Sequence, residues 1–357
     1  MSIQIKVGGA IYEGWTAIEV NRSMESLSGF FSMSVSNKFN SNISQFPILK
    51  PGQNCQILVN RQQVMNGYID KVNIHYDAVT HTMQIEGRDK AGDLVDCSVT
   101  GNTGEWKGLK LEAIVEAICQ PFGIKVTTHI DTGEVIPAFN VEQGMTAFEA
   151  IQKLCALRAC LALSDNNGGI LITRAAQSRA SNDLIEGQNI KSAEAEYDVS
   201  QRFSQYIVKG QQQGADNTGT INITAGKAVV RDETIPRYRP VILISDGQTD
   251  SNKALMRAKW EASVKRGKSR TFTVIVNGWQ QKNGALWNIN QQVRLKSPML
   301  GADDVFIIAG LIYKLDEEGE LTELALTDAS AYELLKEDTI KKSADAQKAK
   351  FNPYLLQ

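Results

Sequence analysis

Short runs in which polar and apolar residues alternate, each closed by a turn, fill the first ninety residues of the chain. A period of two places successive side chains on opposite faces, so each run makes a half-buried strand, and several in succession make an antiparallel sheet or a small barrel. The runs fall at 3–7, 15–20, 31–35, 56–59, 65–76 and 80–87, punctuated by Gly8-Gly9, Ser28-Gly29, Pro51-Gly52 and Asn66-Gly67. Gly67 lies inside a run, where glycine marks a bulge or the corner of a closing sheet.

The pattern changes near residue 105. Leu109, Leu111, Ile114, Val115, Ile118 and Cys119 share a helical face over 106–120, and Pro121 stops that helix. Thr146 and Glu149 form a capping box for a second helix presenting Phe148, Ile151, Leu154 and Cys155 inward. A hairpin follows, with strands at 160–164 and 170–174 around Asp165-Asn166-Asn167-Gly168-Gly169. Strands resume over 188–212, most clearly at 201–209, and are interrupted by 213–271. That interruption holds β runs at 221–224 and 241–244 and a helix running from Asp250 or Ser251 to Gly267, a natural C′ residue. Further strands are expected at 271–276, 292–296, 305–315 and 320–327, then a Lys/Ala-rich helix at 338–350 and an apolar tail containing Phe351 and Tyr354.

Two stretches echo one another. Val64-Met65-Asn66-Gly67-Tyr68-Ile69-Asp70-Lys71-Val72 can be laid on Ile307-Ile308-Ala309-Gly310-Leu311-Ile312-Tyr313-Lys314-Leu315, each preceded by a glutamine-bearing strand and followed by a strand ending at Asp89 or Asp328. The expected fold is therefore mainly β with α+β modules: two similar antiparallel β-barrels plus inserted α+β domains. The boundaries read as 1–97 for the first barrel, 98–185 for an α+β domain, and 186–212 with 272–330 for the second barrel. Residues 213–271 form an inserted domain with a basic helix, and 331–357 a C-terminal helix and tail. Three copies of a two-barrel chain present six similar units around an axis, a device for joining threefold to sixfold partners. Shared turn chemistry is the alternative account of the echo.

Composition excludes several functions. At 357 residues and a net charge of −2, the chain has room for two or three cores and no global field drawing it to nucleic acid or an anionic membrane. No apolar run approaches a membrane span, and the alternating start reads as a strand, not a leader. The five cysteines are scattered, without a C-x-x-C pair, which points to a reducing compartment of synthesis.

Chemical motifs are sparse. His75 and His81 flank a hairpin tip near Asp77, an incomplete zinc set that reads better as solvated side chains. There is no nucleophile elbow, P-loop or dinucleotide fingerprint. Asp165–Gly169 resembles a calcium loop faintly but lacks the later bidentate glutamate, and a hairpin turn explains it better. No catalytic, cofactor-binding or metal residues are nominated. Lys253, Arg257, Lys259, Lys265, Arg266, Lys268 and Arg270 make a basic helix, read as a solvated face or a surface for an acidic neighbour ahead of a DNA contact. Trp279 and Trp287 flank a loop; core is favoured over partner contact for both. The candidate interface residues are accordingly Trp279, Trp287, Arg257, Lys265, Arg266, Phe351 and Tyr354.

Beginning at Gly87-Arg88-Asp89-Lys90-Ala91-Gly92-Asp93-Leu94-Val95-Asp96-Cys97-Ser98, the chain resembles the baseplate hub proteins of Mu-like contractile-tail bacteriophages. Gly14-Trp15, Arg22-Ser23-Met24-Glu25, Ser28-Gly29-Phe30-Phe31-Ser32, Pro121-Phe122-Gly123-Ile124, Arg237-Tyr238-Arg239-Pro240, Arg257-Ala258-Lys259-Trp260-Glu261, Gly278-Trp279, Leu286-Trp287 and Asn290 match in family order. The resemblance implies a homotrimeric pseudo-sixfold ring in the virion, seated between central spike and tail tube, assembled in the bacterial cytoplasm and touching other baseplate proteins. It also implies kinship with the hub part of type VI secretion spikes and supplies no catalytic motif; no cofactor, membrane insertion or enzymatic activity is expected, and transient contact of the basic helix with DNA in the lumen is the lesser alternative. A spike-like part of another injection device and a tail-associated cell-wall hydrolase are the competing readings.

Overall fold

The computed structural model describes residues 3–38, 49–78, 80–100, 104–176, 178–211, 213–214, 222–223, 227–248 and 251–333. The chain divides into two compact units: residues 1–155, 160–195 and 272–327 form the first, and 156–159, 196–271 and 328–357 the second.

The alternating runs become β1 (Ile3–Val7), β2 (Ala10–Tyr12), β3 (Ala17–Ser23), β4 (Phe30–Lys38), β5 (Asn54–Val59), β6 (Gln62–Tyr76) and β7 (Thr80–Asp89). Burial follows the same period: Ile18, Val20 and Arg22 of β3 are buried, while Glu19 and Asn21 between them are half-exposed. The middle of the unit holds α1 (Ala91–Asp96), β8 (Glu105–Leu109), α2 (Leu111–Cys119), β9 (Val126–Thr128), β10 (Ile136–Asn140), α3 (Ala147–Arg158), β11 (Leu161–Ser164) and β12 (Ile170–Thr173). Ile114, Ile118, Ile151, Leu154, Ile170 and Ile172 fill its core. The capping box forms: the Thr146 amide donates to Glu149 at 2.9 Å and the Glu149 amide to the Thr146 hydroxyl at 3.2 Å.

One helix starts later than expected. Trp106 lies on β8, opposite Phe139 of β10, and helix begins only at Leu111. Gly108, with φ of +62°, holds a left-handed backbone that helix cannot continue through, and the Trp106 ring finds its cover against Phe139 at 6.2 Å.

After β13 (Ser178–Arg179), β14 (Leu184–Ile185) and β15 (Ser192–Tyr197), the chain enters the second unit with β16 (Gln205–Gln211), β17 (Gln213–Gly214), β18 (Asn222–Ile223), β19 (Lys227–Arg231), β20 (Pro240–Gln248) and α4 (Ser251–Gly267). It leaves through β21 (Arg270–Asn277), β22 (Gln291–Ser297), β23 (Ala302–Asp316) and β24 (Gly319–Thr327). The 201–209 run, expected to rejoin the second barrel, lies instead between antiparallel β19 and parallel β20. Ala254, Ala258 and Ala262, four residues apart on α4, share a core with Tyr206 and Val208 of β16.

In the first unit one sheet runs in the order β15-β21-β24-β23-β3-β4-β7-β6-β5-β1-β2, with β13 and β14 added beside β22. The expected pair of barrels is corrected here: among the described residues no sheet closes on itself. The reason is β3, which pairs with β4 on one side and with β23 on the other, so that N-terminal and C-terminal strands share a single open sheet.

The echo holds at the level of topology. The path β3-β4-β7-β6-β5 and the path β15-β21-β24-β23-β22 connect their strands in the same order. Each contains one strand of 15 residues, β6 or β23. The first half of that strand pairs with the strand before it and the second half with the strand after it. An ion pair crosses each hairpin, Lys71 to Glu86 and Lys314 to Glu323. The second unit is inserted between the first and second strands of the later copy.

Candidate functional site

Two features of the first unit bear on what it does: a buried polar joint and two open strand edges. The joint centres on Arg22, 5% exposed on β3. Its guanidinium donates to the Ser164 carbonyl at 2.8 Å, to Asn288 Oδ1 at 2.9 Å and to Asn166 Oδ1. Burial pulls its pKa below the usual arginine range, against the fields of Tyr313, Asp89 and Asp165. Asp89, 3% exposed, ends β7 and accepts from the Gly29 amide at 2.8 Å, the Ser28 hydroxyl at 3.0 Å and the Ala91 amide at 3.1 Å. Burial raises its carboxyl pKa, and hydrogen bonds from Gly29, Ser164 and Ser28 offset part of the rise. Tyr313 of β23 donates to the Trp287 carbonyl, and burial raises the phenol above its usual range.

The Asp165–Gly169 turn is the bracket that fastens the α+β module to this joint. Asp165 Oδ1 accepts from the amides of Asn167 and Gly169, each at 2.7 Å. Gln63 and Asn66 of β6 donate to the carbonyls of Asn166 and Asn167, each at 2.9 Å. A Cβ at Gly168 would stand 2.8 Å from the Asn66 carbonyl, so the turn needs glycine there for close approach as well as for its φ of +80°. The carboxylate that suggested calcium is occupied by backbone amides. Sequence patterns singled out the turn but not Arg22 or Asn288; the signal available was the position of Arg22, a charged residue on the apolar face of an alternating strand.

The two edges of interest are β15, which ends the sheet on one side as β2 does on the other, and the outer half of β6, where bonding to the 52–59 segment stops at Ile69. Ile74 and Tyr76 on β6 are 68% and 74% exposed, and Tyr197 on β15 is 56% exposed.

Of the predicted interface residues, Trp279 and Trp287 belong to the first unit and Arg257, Lys265 and Arg266 to the second. Trp279 and Trp287 are 1% and 2% exposed, core residues of the first unit that leave no ring face for a partner. Arg257 pairs with Glu261 at 2.7 Å and lies over the Trp260 ring. Arg266 reaches Asp232 at 3.1 Å, and Asp232 also holds Arg202 at 2.6 Å. Lys265 is half-buried on the same helix. Phe351 and Tyr354 lie outside the described residues. His75 and His81 sit on neighbouring strands, and no group of three His, Cys, Asp or Glu arranged for a metal occurs among the described residues.

Comparison with known proteins decides the family. The Escherichia phage Mu protein named "Baseplate hub protein gp44" is 30% identical over 340 residues, covering 93% of this chain and 89% of the phage protein. The chain belongs to the baseplate hub family of Mu-like phages. Within that family, residues 2–89 match the description "Mu phage baseplate assembly protein GpP-like, N-terminal", 91–174 "Baseplate hub protein gp44-like, second domain", and 250–335 "Mu phage baseplate assembly protein GpP, fourth domain". The 43 kDa tail protein of prophage MuSo2 from Shewanella oneidensis matches with a TM-score of 0.85 at 34% identity, over 94% of this chain and 100% of its own. The fold alone extends to an Escherichia coli type VI secretion component, with a TM-score of 0.55 at 6% identity, over 93% of this chain and 78% of that one. The expected kinship of the hub family with secretion spikes is thus present as shared architecture.

Proposed function

We propose that this chain is the structural hub of a contractile-tail baseplate, acting as a homotrimeric ring of pseudo-sixfold character between the central spike and the tail tube. One observation carries the reading: the same five-strand path occurs twice in the first unit, so three copies offer six equivalent strand sets. The work is mechanical. A hub must keep its shape while neighbours move, and the Arg22 joint serves that by tying both strand sets to the α+β module through buried, directional bonds. No reaction is assigned to it. In that ring the two strand sets meet those of neighbouring copies, and the tail holding Phe351 and Tyr354 docks on the spike. Synthesis in the bacterial cytoplasm, ahead of incorporation into the virion, suits five cysteines that are all unbridged. Contact with DNA in the lumen gains no support from Arg257 or Arg266, both already ion-paired. Sedimentation at micromolar concentration tests the ring: a species of three times the 39.3 kDa chain mass is expected, and monomers alone overturn it.

A further inference from the structure

The ring reading leaves open which surfaces of adjacent copies meet, and the chain contains a template for the answer. Inside the first unit, the first strand of one repeat pairs with the long strand of the other: β3 lies antiparallel to β23, from Ile18 opposite Leu315 to Ser23 opposite Gly310. Each repeat therefore has a donor edge and an acceptor edge. The donor of the first repeat, β3, and the acceptor of the second, β23, are used within the chain. The donor of the second repeat is β15, and the acceptor of the first is the outer half of β6. Among the described residues no strand pairs with either on its open side. An open edge of this length is a template for another strand.

Resting on the ring reading, we propose that β15 of one copy pairs antiparallel with residues 70–76 of β6 in the next copy, repeating between chains the β3–β23 pairing made within one. Charge supports the match. Glu194 and Glu196 share one face of β15, and Lys71 and His75 share one face of β6. In the template Glu19 of β3 stands opposite Lys314, four residues past the first residue after the β23 bulge, the place that His75 holds on β6. The other faces are apolar, with Ala193, Ala195 and Tyr197 set to meet Val72, Ile74 and Tyr76. Directly opposed pairs of these kinds stabilise a sheet, whereas like charges there destabilise it. The contact is heterologous; with the rotation of a closed ring it leaves no open edge of this kind, whereas any other rotation would give a filament.

The test uses the full chain. Glu194→Lys with Glu196→Lys, and separately Lys71→Glu with His75→Glu, are expected to weaken self-association at least tenfold by sedimentation, and the four changes together to restore it. Because Lys71 also pairs with Glu86 inside the chain, a second readout avoids charge. Ala195→Cys is combined with either Val72→Cys or Ile74→Cys, the two registers that keep the apolar faces together, and oxidised beside single-cysteine controls. Covalent trimer on a denaturing gel from one register supports the pairing. Wild-type trimers with neither cross-linking nor sensitivity to charge reversal overturn this edge assignment while leaving the ring intact. A wild-type chain that stays monomeric overturns both.

Discussion

At the scale of single residues, the account makes Arg22 the most demanding side chain in the first unit. It is a buried cation held by one carbonyl and two asparagines. Arg22→Met removes a donor shared by the buried Ser164 carbonyl and the half-buried Asn166 and Asn288 amide oxygens, so a loss of about 3 kcal/mol is expected from denaturant titration. Arg22→Lys is expected to recover only part of this, because an ammonium lacks the planar fork. Asp232 in the second unit offers a pH test. Burial opposes its ionisation, yet hydrogen bonds from Thr234 and Arg202 win and bring its pKa down to about 2. A folded pKa below the unfolded value near about 4 gives stability that is full above the unfolded value and vanishes as pH falls through about 2. Asp232→Asn should therefore cost about 2 kcal/mol at pH 7, and the gap between variant and parent should close toward pH 2. Neither residue was legible as a site from the sequence. Arg22 opens a string that resembles the family, but that string names no partner, and its partners lie more than 140 residues away along the chain. The turn at Asp165–Gly169 was legible because Asn-Gly chemistry is local; that it brackets two modules was not.

At the scale of elements, the echo predicts unequal tolerance at its two glycines. A Cβ on Gly67 would stand 1.8 Å from the Arg88 carbonyl oxygen, whereas one on Gly310 would meet the Ala325 methyl at 3.5 Å. Gly67→Ala must force β6 and β7 apart and should appear as loss of soluble, folded protein. Gly310→Ala should leave the thermal midpoint within a few degrees of the parent, since the added methyl makes only ordinary contact. The capping box is smaller in effect: Thr146→Ala should cost about 1 kcal/mol of stability, read by urea titration. Strands and the capping box were readable because alternation and Thr-x-x-Glu act within a few residues. The β8–α2 boundary was misread because an apolar spacing fits either element over so short a window. Trp106 was then claimed by a cross-strand partner, Phe139, that no local pattern names.

At the scale of the whole molecule, sequence periodicity supplied the repeat but not its closure. Two barrels were expected because each repeat holds enough strands for one. The structure joins them through β3 and β23 into an open sheet, and where a sheet closes depends on partners that a single chain lacks. Removal of the residues after 337 should lower affinity for the spike while leaving self-association unchanged, which pull-down and sedimentation on the same preparation separate. The most direct test of the doubled unit is an averaged image of the assembled particle viewed along its axis. Three chains arranged as argued should give a ring whose strongest rotational harmonic is sixfold; a closed ring with only threefold features would contradict the account.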